Sequence, residues 1–142
     1  MTENNQILST KCRVNSFLVC DQIYTDPATG KFSLLGIFSR LRVRGFPVRH
    51  PQMIWFVSLS ELSVGEHNLK ISITDPMGEI EAKQIIDRDF SCNSPNTRIN
   101  LINEIERLKF EKAENYSIVI EVDDEIVFVE TFAVSHEDYE YE

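Results

Sequence analysis

The sequence predicts an all-β domain: an antiparallel β-sandwich of the immunoglobulin or C2 kind, with about eight strands. Three observations lead there. Apolar residues alternate with polar ones through much of the chain, as Leu69, Ile71 and Ile73 do against Asn68, Lys70 and Ser72. Turn signals built from Asp, Pro and Gly separate these runs about every 8–12 residues. No strand–helix–strand alternation interrupts them. A barrel is the second architecture that this pattern allows.

The bulk composition fits one folded domain. The chain has 142 residues, 42% hydrophobic and 26% charged, enough apolar surface to offset its ordering entropy without a disulfide or a metal. Three cysteines, Cys12, Cys20 and Cys92, are an odd number with no C-x-x-C pair, so neither a zinc site nor a redox couple is expected. The first residues, MTENNQILSTK, lack the apolar stretch of a signal peptide. The longest apolar run, Met53 to Val57, is far too short for a membrane-spanning helix. A cytoplasmic protein without membrane contact is the expectation. Residues 1–11 are read as a flexible terminus, 12–134 as one sandwich domain and 135–142 as an acidic tail.

Along the chain, the first strand starts at Arg13. Phe17, Val19 and Ile23 fall on one face with Leu18 and Cys20 on the other, which predicts burial on both sides. Asp26-Pro27-Ala28-Thr29-Gly30 then turns the chain: Asp bonds its own backbone, Pro presets φ, and Gly accepts positive φ. A second strand follows from Lys31 to Phe38, with Gly36 as a bulge or close-packing point. The whole is a β-hairpin. Residues 39–46 alternate again, Arg40, Arg42 and Arg44 against Leu41 and Val43. Met53 to Leu59 is the best central strand. It is flanked by Arg49, Pro51 and Glu61, which guard it against aggregation. Val64-Gly65-Glu66 and Asp75-Pro76-Met77-Gly78 are turns on either side of the strand His67–Thr74, and 79–90 supplies its partner. In 99–110, Leu101, Ile105 and Leu108 have helical spacing among strands, so this segment reads either as one short helix or as an irregular strand. Tyr116–Val122, the turn Asp123-Asp124 and Ile126–Val134 complete the chain.

Few of these residues suggest chemistry. Thr29-Gly30-Lys31 lacks the earlier glycine and the following helix of a phosphate-binding loop. Asp21, Asp26, Asp75, Asp123 and Asp124 are candidate calcium ligands at loop ends, but no D-x-D-x-D cluster gathers six oxygens. All but Asp21 have a plain turn role. His50, His67 and His136 are scattered without metal-ligand spacing. Cys20 reads as a small core residue, and no G-x-S-x-G elbow occurs. No catalytic residue, metal or cofactor is assigned.

The arginines are the most informative feature. Residues 39–50 carry Arg40, Arg42, Arg44 and Arg49 and no acid, within a chain of net charge −9. Period-2 spacing puts three guanidiniums in a row about 6.5–7 Å apart. Such a row can hold an acidic peptide, phosphates or a nucleic-acid backbone. It can equally be a solvated face paired with nearby glutamates. Glu137, Asp138, Glu140 and Glu142 of the tail could meet this row in another subunit.

Cys20-Asp21, Tyr24, Asp26, Thr29-Gly30-Lys31, Gly36-Ile37-Phe38, Phe46-Pro47 and His50-Pro51 together resemble the signature of a family of small uncharacterised bacterial proteins. Gly65-Glu66-His67 and Asp75-Pro76-x-Gly78 also fit it. Further on, Phe110-Glu111-Lys112-Ala113-Glu114-Asn115-Tyr116 matches an F-x-x-x-G-x-Y segment without its glycine, and Asn115 is the residue able to stand at positive φ there. The resemblance implies a bacterial, cytoplasmic, sandwich-like domain of unknown function, with no activity attached. The expected function is a noncatalytic module that binds a protein partner or itself. Two alternatives are anion or nucleic-acid binding through the arginine stripe, opposed by the net charge, and an enzyme or calcium-binding sandwich with a loop-end site.

Overall fold

A computed structural model describes residues 12–76 and 83–137. The terminus 1–11, the end of the Asp75–Gly78 turn, the start of the 79–90 strand and tail residues 138–142 lie outside them. The described residues form nine strands and no helix: β1 (Arg13–Thr25), β2 (Phe32–Ile37), β3 (Arg40–Val43), β4 (Val48–Ser60), β5 (Gly65–Thr74), β6 (Lys83–Cys92), β7 (Ile99–Phe110), β8 (Glu114–Val122) and β9 (Glu125–His136). They make two open sheets rather than a barrel. Sheet A has the order β2-β1-β4-β7, and sheet B the order β3-β9-β8-β5-β6.

The pairing is antiparallel with one exception. β3 runs parallel to β9, Arg40 beside Ala133 and Val43 beside His136, so sheet B is mixed and the wholly antiparallel expectation is corrected. The cause is the route of the chain, which crosses from β2 in sheet A to β3 at the edge of sheet B and back to β4.

Met53, Trp55, Val57 and Leu59 of β4 face Leu69, Ile71 and Ile73 of β5 and Ile118, Ile120 and Val122 of β8 in one core between the sheets. Phe17 sits edge-on to Trp55 at 6.1 Å. Burial of large apolar side chains, worth about 1.5–3 kcal/mol each, drives this closure. β1 and β4 are buried on their other face too. Cys20, Ile54 and Phe56 are covered there, with Phe32 edge-on to Phe56 at 6.2 Å.

The segment 99–110 is a strand, not a helix. Leu101, Asn103 and Ile105 point inward at period 2, and then Leu108 and Phe110 do. The phase changes because Arg107 stands at φ 57° and the β4–β7 ladder skips it together with Pro51. That irregularity turns an i, i+2 repeat into an i, i+3 step and imitates helical spacing. Asn115 is not among the residues at positive φ. It pairs regularly with Ala133 in the β8–β9 ladder, so the expectation of a left-handed residue there is also corrected. Asp123 and Asp124, at φ 52° and 68°, make the two-residue hairpin turn with both residues left-handed, which suits the strand twist.

Candidate functional site

β3 places the arginines. Val43 is buried and Leu41 half-buried, so Arg40 and Arg42 point outward, and Arg44, just past the strand, is exposed as well. The strand is the edge of sheet B. Among the described residues its cations therefore lie on an edge strand, on the outward face that the alternation predicts. Arg49 is set apart from them: it lies on β4, in sheet A, and donates through Nη1 to the Arg107 carbonyl at 3.2 Å.

Among the described residues, Glu137 of the same chain meets the row. Arg42 Nη2 donates to the Glu137 carbonyl at 2.9 Å. Arg44 Nε lies 3.4 Å from the Glu137 carboxylate, and the Glu137 N–H donates to the Val43 carbonyl at 2.7 Å. Within one chain, the parallel pairing of β9 delivers Glu137 to the end of β3; Asp138, Glu140 and Glu142 lie outside the described residues. Arg44 and Glu137 are exposed, which limits an ion pair of this kind to less than about 1 kcal/mol.

Where sheet A approaches β3, a groove of about 270 Å³ opens between Asp21, Gly36, Ile37, Phe38, Arg40, Leu41 and His50. Each side chain arrives for a local reason. Gly36 adopts φ +72°, and a Cβ there would lie 2.5 Å from Asp21 Oδ2, so the glycine lets the Asp21 carboxylate lie against the backbone of β2. The Phe38 N–H donates to the Val19 carbonyl at 2.9 Å. The Phe38 ring stands between His50 and Phe132, with centroids 6.0 Å from each. The groove thus offers an apolar floor with a carboxylate, an imidazole and a guanidinium around it. Asp21, Gly36, Ile37, Phe38 and His50 all belong to the string that resembled a bacterial family.

The other singled-out residues go elsewhere. Asp26 holds the hairpin loop, accepting from the Ala28 N–H at 2.9 Å and the Thr29 hydroxyl at 3.1 Å. Asp124 pairs with Lys70 at 2.9 Å, and Asp75 is buried with Lys112 Nζ 3.7 Å away. Among the described residues no three His, Cys, Asp or Glu side chains gather as metal ligands. Cys20 is fully buried and donates to the Gln22 carbonyl at 3.3 Å. Burial, then the Asp21 charge, pushes its thiol pKa up, which opposes thiolate formation.

His67 was missed as an interacting residue. Its Nδ1 lies 2.6 Å from the Asp123 carboxylate and its Nε2 2.7 Å from the Ser63 carbonyl, with Phe90 stacked on the ring at 5.6 Å. Burial works against its charge, but Asp123 and Ser63 outweigh this and raise its pKa. Asp123 also accepts from the Asn68 N–H at 2.9 Å. The cluster ties the entry of β5 to the β8–β9 turn, a structural task.

The model of DUF6941, a family of unknown function, matches residues 15–135. The chain belongs to this family. No curated protein matches it. Among solved structures, it is similar to the alkylpurine DNA glycosylase AlkC of Pseudomonas fluorescens bound to DNA containing an abasic-site analogue, with a TM-score of 0.54 and 11% identity, over 92% of this chain and 32% of that one. It is also similar to a β-glucosidase of Listeria innocua in complex with glucose, with a TM-score of 0.50 and 10% identity, over 84% of this chain and 16% of that one. At such identity the likeness is one of fold alone. The chain spans about a third of the glycosylase and less of the glucosidase. No helix of the described residues is long and apolar enough to cross a membrane.

Proposed function

We propose that this chain is a noncatalytic protein-interaction module of the bacterial cytoplasm, a sandwich of the immunoglobulin or C2 kind. It binds an extended acidic segment of a partner along β3 and in the adjoining groove. The observation that supports this reading is the join of an exposed sheet edge, carrying Arg40, Arg42 and Arg44, to a groove with Ile37, Phe38 and Leu41 as its apolar floor. An edge strand offers main-chain hydrogen bonds, arginines recognise carboxylates with directional bonds, and the groove receives an apolar side chain. Glu137 already places a carbonyl and a carboxylate against this edge, and this is the chemistry the partner would supply.

Affinity purification from the host, with the wild-type chain and with Arg40→Glu/Arg42→Glu, tests it. A partner retained by the wild type and lost by the variant is expected. Recovery of the same proteins by both chains would count against it. A second reading, binding of a nucleic-acid backbone, rests on the same three outward arginines. It predicts affinity for single- or double-stranded nucleic acid that falls steeply with salt, and the net charge of −9 opposes it.

A further inference from the structure

Four strands form the sheet edges, and their sequences differ in one respect. β3 carries Arg40 and Arg42, β6 carries Lys83, Asp87, Arg88 and Asp89, and β7 carries Glu104, Glu106, Arg107 and Lys109. β2, with the sequence FSLLGI, has no charge at all. Charged side chains are how sheet edges avoid pairing with other chains, so β2 is the edge left open to it. The same hairpin concentrates exposed apolar surface. Leu35 is 49% exposed, Ile37 56% and Tyr24 53%. Single scattered residues would need no explanation, but these three lie together on one hairpin.

We infer that β2 is a self-association edge, on which a second copy of this chain pairs its own β2 antiparallel about a two-fold axis. The edge is self-complementary. With the axis at Leu35, Leu35 meets Leu35 of the second copy, and Ile37 of each copy lies opposite the small Ser33 of the other. Ser33 is the register partner of Tyr24, so each Ile37 also reaches a tyrosine ring across the interface. β2 itself brings no charged side chain to the contact, although the Asp21 carboxylate lies beside Gly36. The pairing is isologous and closes at two copies. It does not use the arginine strand but shares Ile37 with the groove of the reading above, so Leu35→Lys separates the two: it should weaken dimerisation and leave partner capture unchanged. A strand of six residues buries less than a standard interface, so the dimer should be concentration-dependent.

Sedimentation of the full chain from low micromolar to near-millimolar concentration tests this. The wild type is expected to pass from monomer to dimer. Leu35→Lys and Ile37→Lys, at exposed positions, should each weaken dimerisation at least tenfold without changing the circular dichroism spectrum. Leu35→Cys should form a disulfide-linked dimer on mild oxidation, because residues facing each other across an antiparallel pair lie within disulfide reach. A wild-type chain that stays monomeric throughout overturns the inference. So does a dimer indifferent to both lysines, or one broken by Arg42→Glu instead.

Discussion

Both ring nitrogens of His67 face oxygens, an arrangement in which the protonated ring donates two hydrogen bonds. Its pKa is raised in the folded state. The sign follows from linkage: the stabilisation is complete below the unfolded value of about 6.5 and is lost as pH rises through the higher folded value. Urea unfolding across this range should show stability declining on the alkaline side. Asp123→Asn keeps the left-handed turn residue and removes the charge. It should cost about 1–3 kcal/mol at pH 6 and flatten the pH dependence. A wild-type profile without any alkaline decline would refute this assignment. At Gly36 the prediction is steric: Gly36→Ala should cost about 1–2 kcal/mol in chemical denaturation, through its left-handed φ and the approach to Asp21. The sequence marked Gly36 as a special point, since a lone glycine in a strand pattern has few other meanings. The pairing of His67 with Asp123 escaped notice because they are 56 residues apart, and only the fold joins them.

The strands were mostly legible as elements, and the reasons for success and failure are physical. β5 and β8 each bury one face, so their apolar residues alternate cleanly. β7 hid itself twice. A buried polar residue, Asn103, broke its apolar repeat, and Arg107 shifted its phase. Asn103 is inward for a reason that also explains its polarity: it donates to the Trp55 carbonyl at 3.0 Å, while its own oxygen accepts from Arg88 Nη1 at 3.1 Å. Arg88 belongs to β6 and also donates to the Ile102 carbonyl at 3.0 Å. This chain of bonds ties the β7 edge of sheet A to the β6 edge of sheet B. Asn103→Ala should therefore destabilise by about 1–3 kcal/mol. A double-mutant cycle with Arg88→Ala should return a coupling of about 0.5–3 kcal/mol. Strictly additive losses would show that the two residues act separately. The parallel β3–β9 pair could not be read locally either, because period 2 fixes which face a residue takes but not which strand lies beside it.

For the molecule as a whole, the two-sheet frame turns a charge pattern in sequence into an edge in space. Arg40, Arg42 and Arg44 face solvent because Val43 is anchored in the core and Leu41 half-buried beside it, and because β9 holds β3 in parallel register. Arg49 had been grouped with them by proximity in sequence, yet the chain reversal between β3 and β4 carries it to the other sheet. The groove beside β3 was legible only as scattered motif residues. Their convergence depends on β1, β2 and β4 meeting at one corner. Charge reversal on β3 should leave the unfolding temperature nearly unchanged, since exposed ion pairs contribute little, while partner binding is lost. The most direct measurement is amide hydrogen exchange of the wild-type chain, alone and with the partner captured from its host. Slowed exchange over residues 37–44 and around His50 is the predicted result. Protection that falls elsewhere, with 37–44 unaltered, would contradict the proposal that the arginine edge and its groove are where this protein binds.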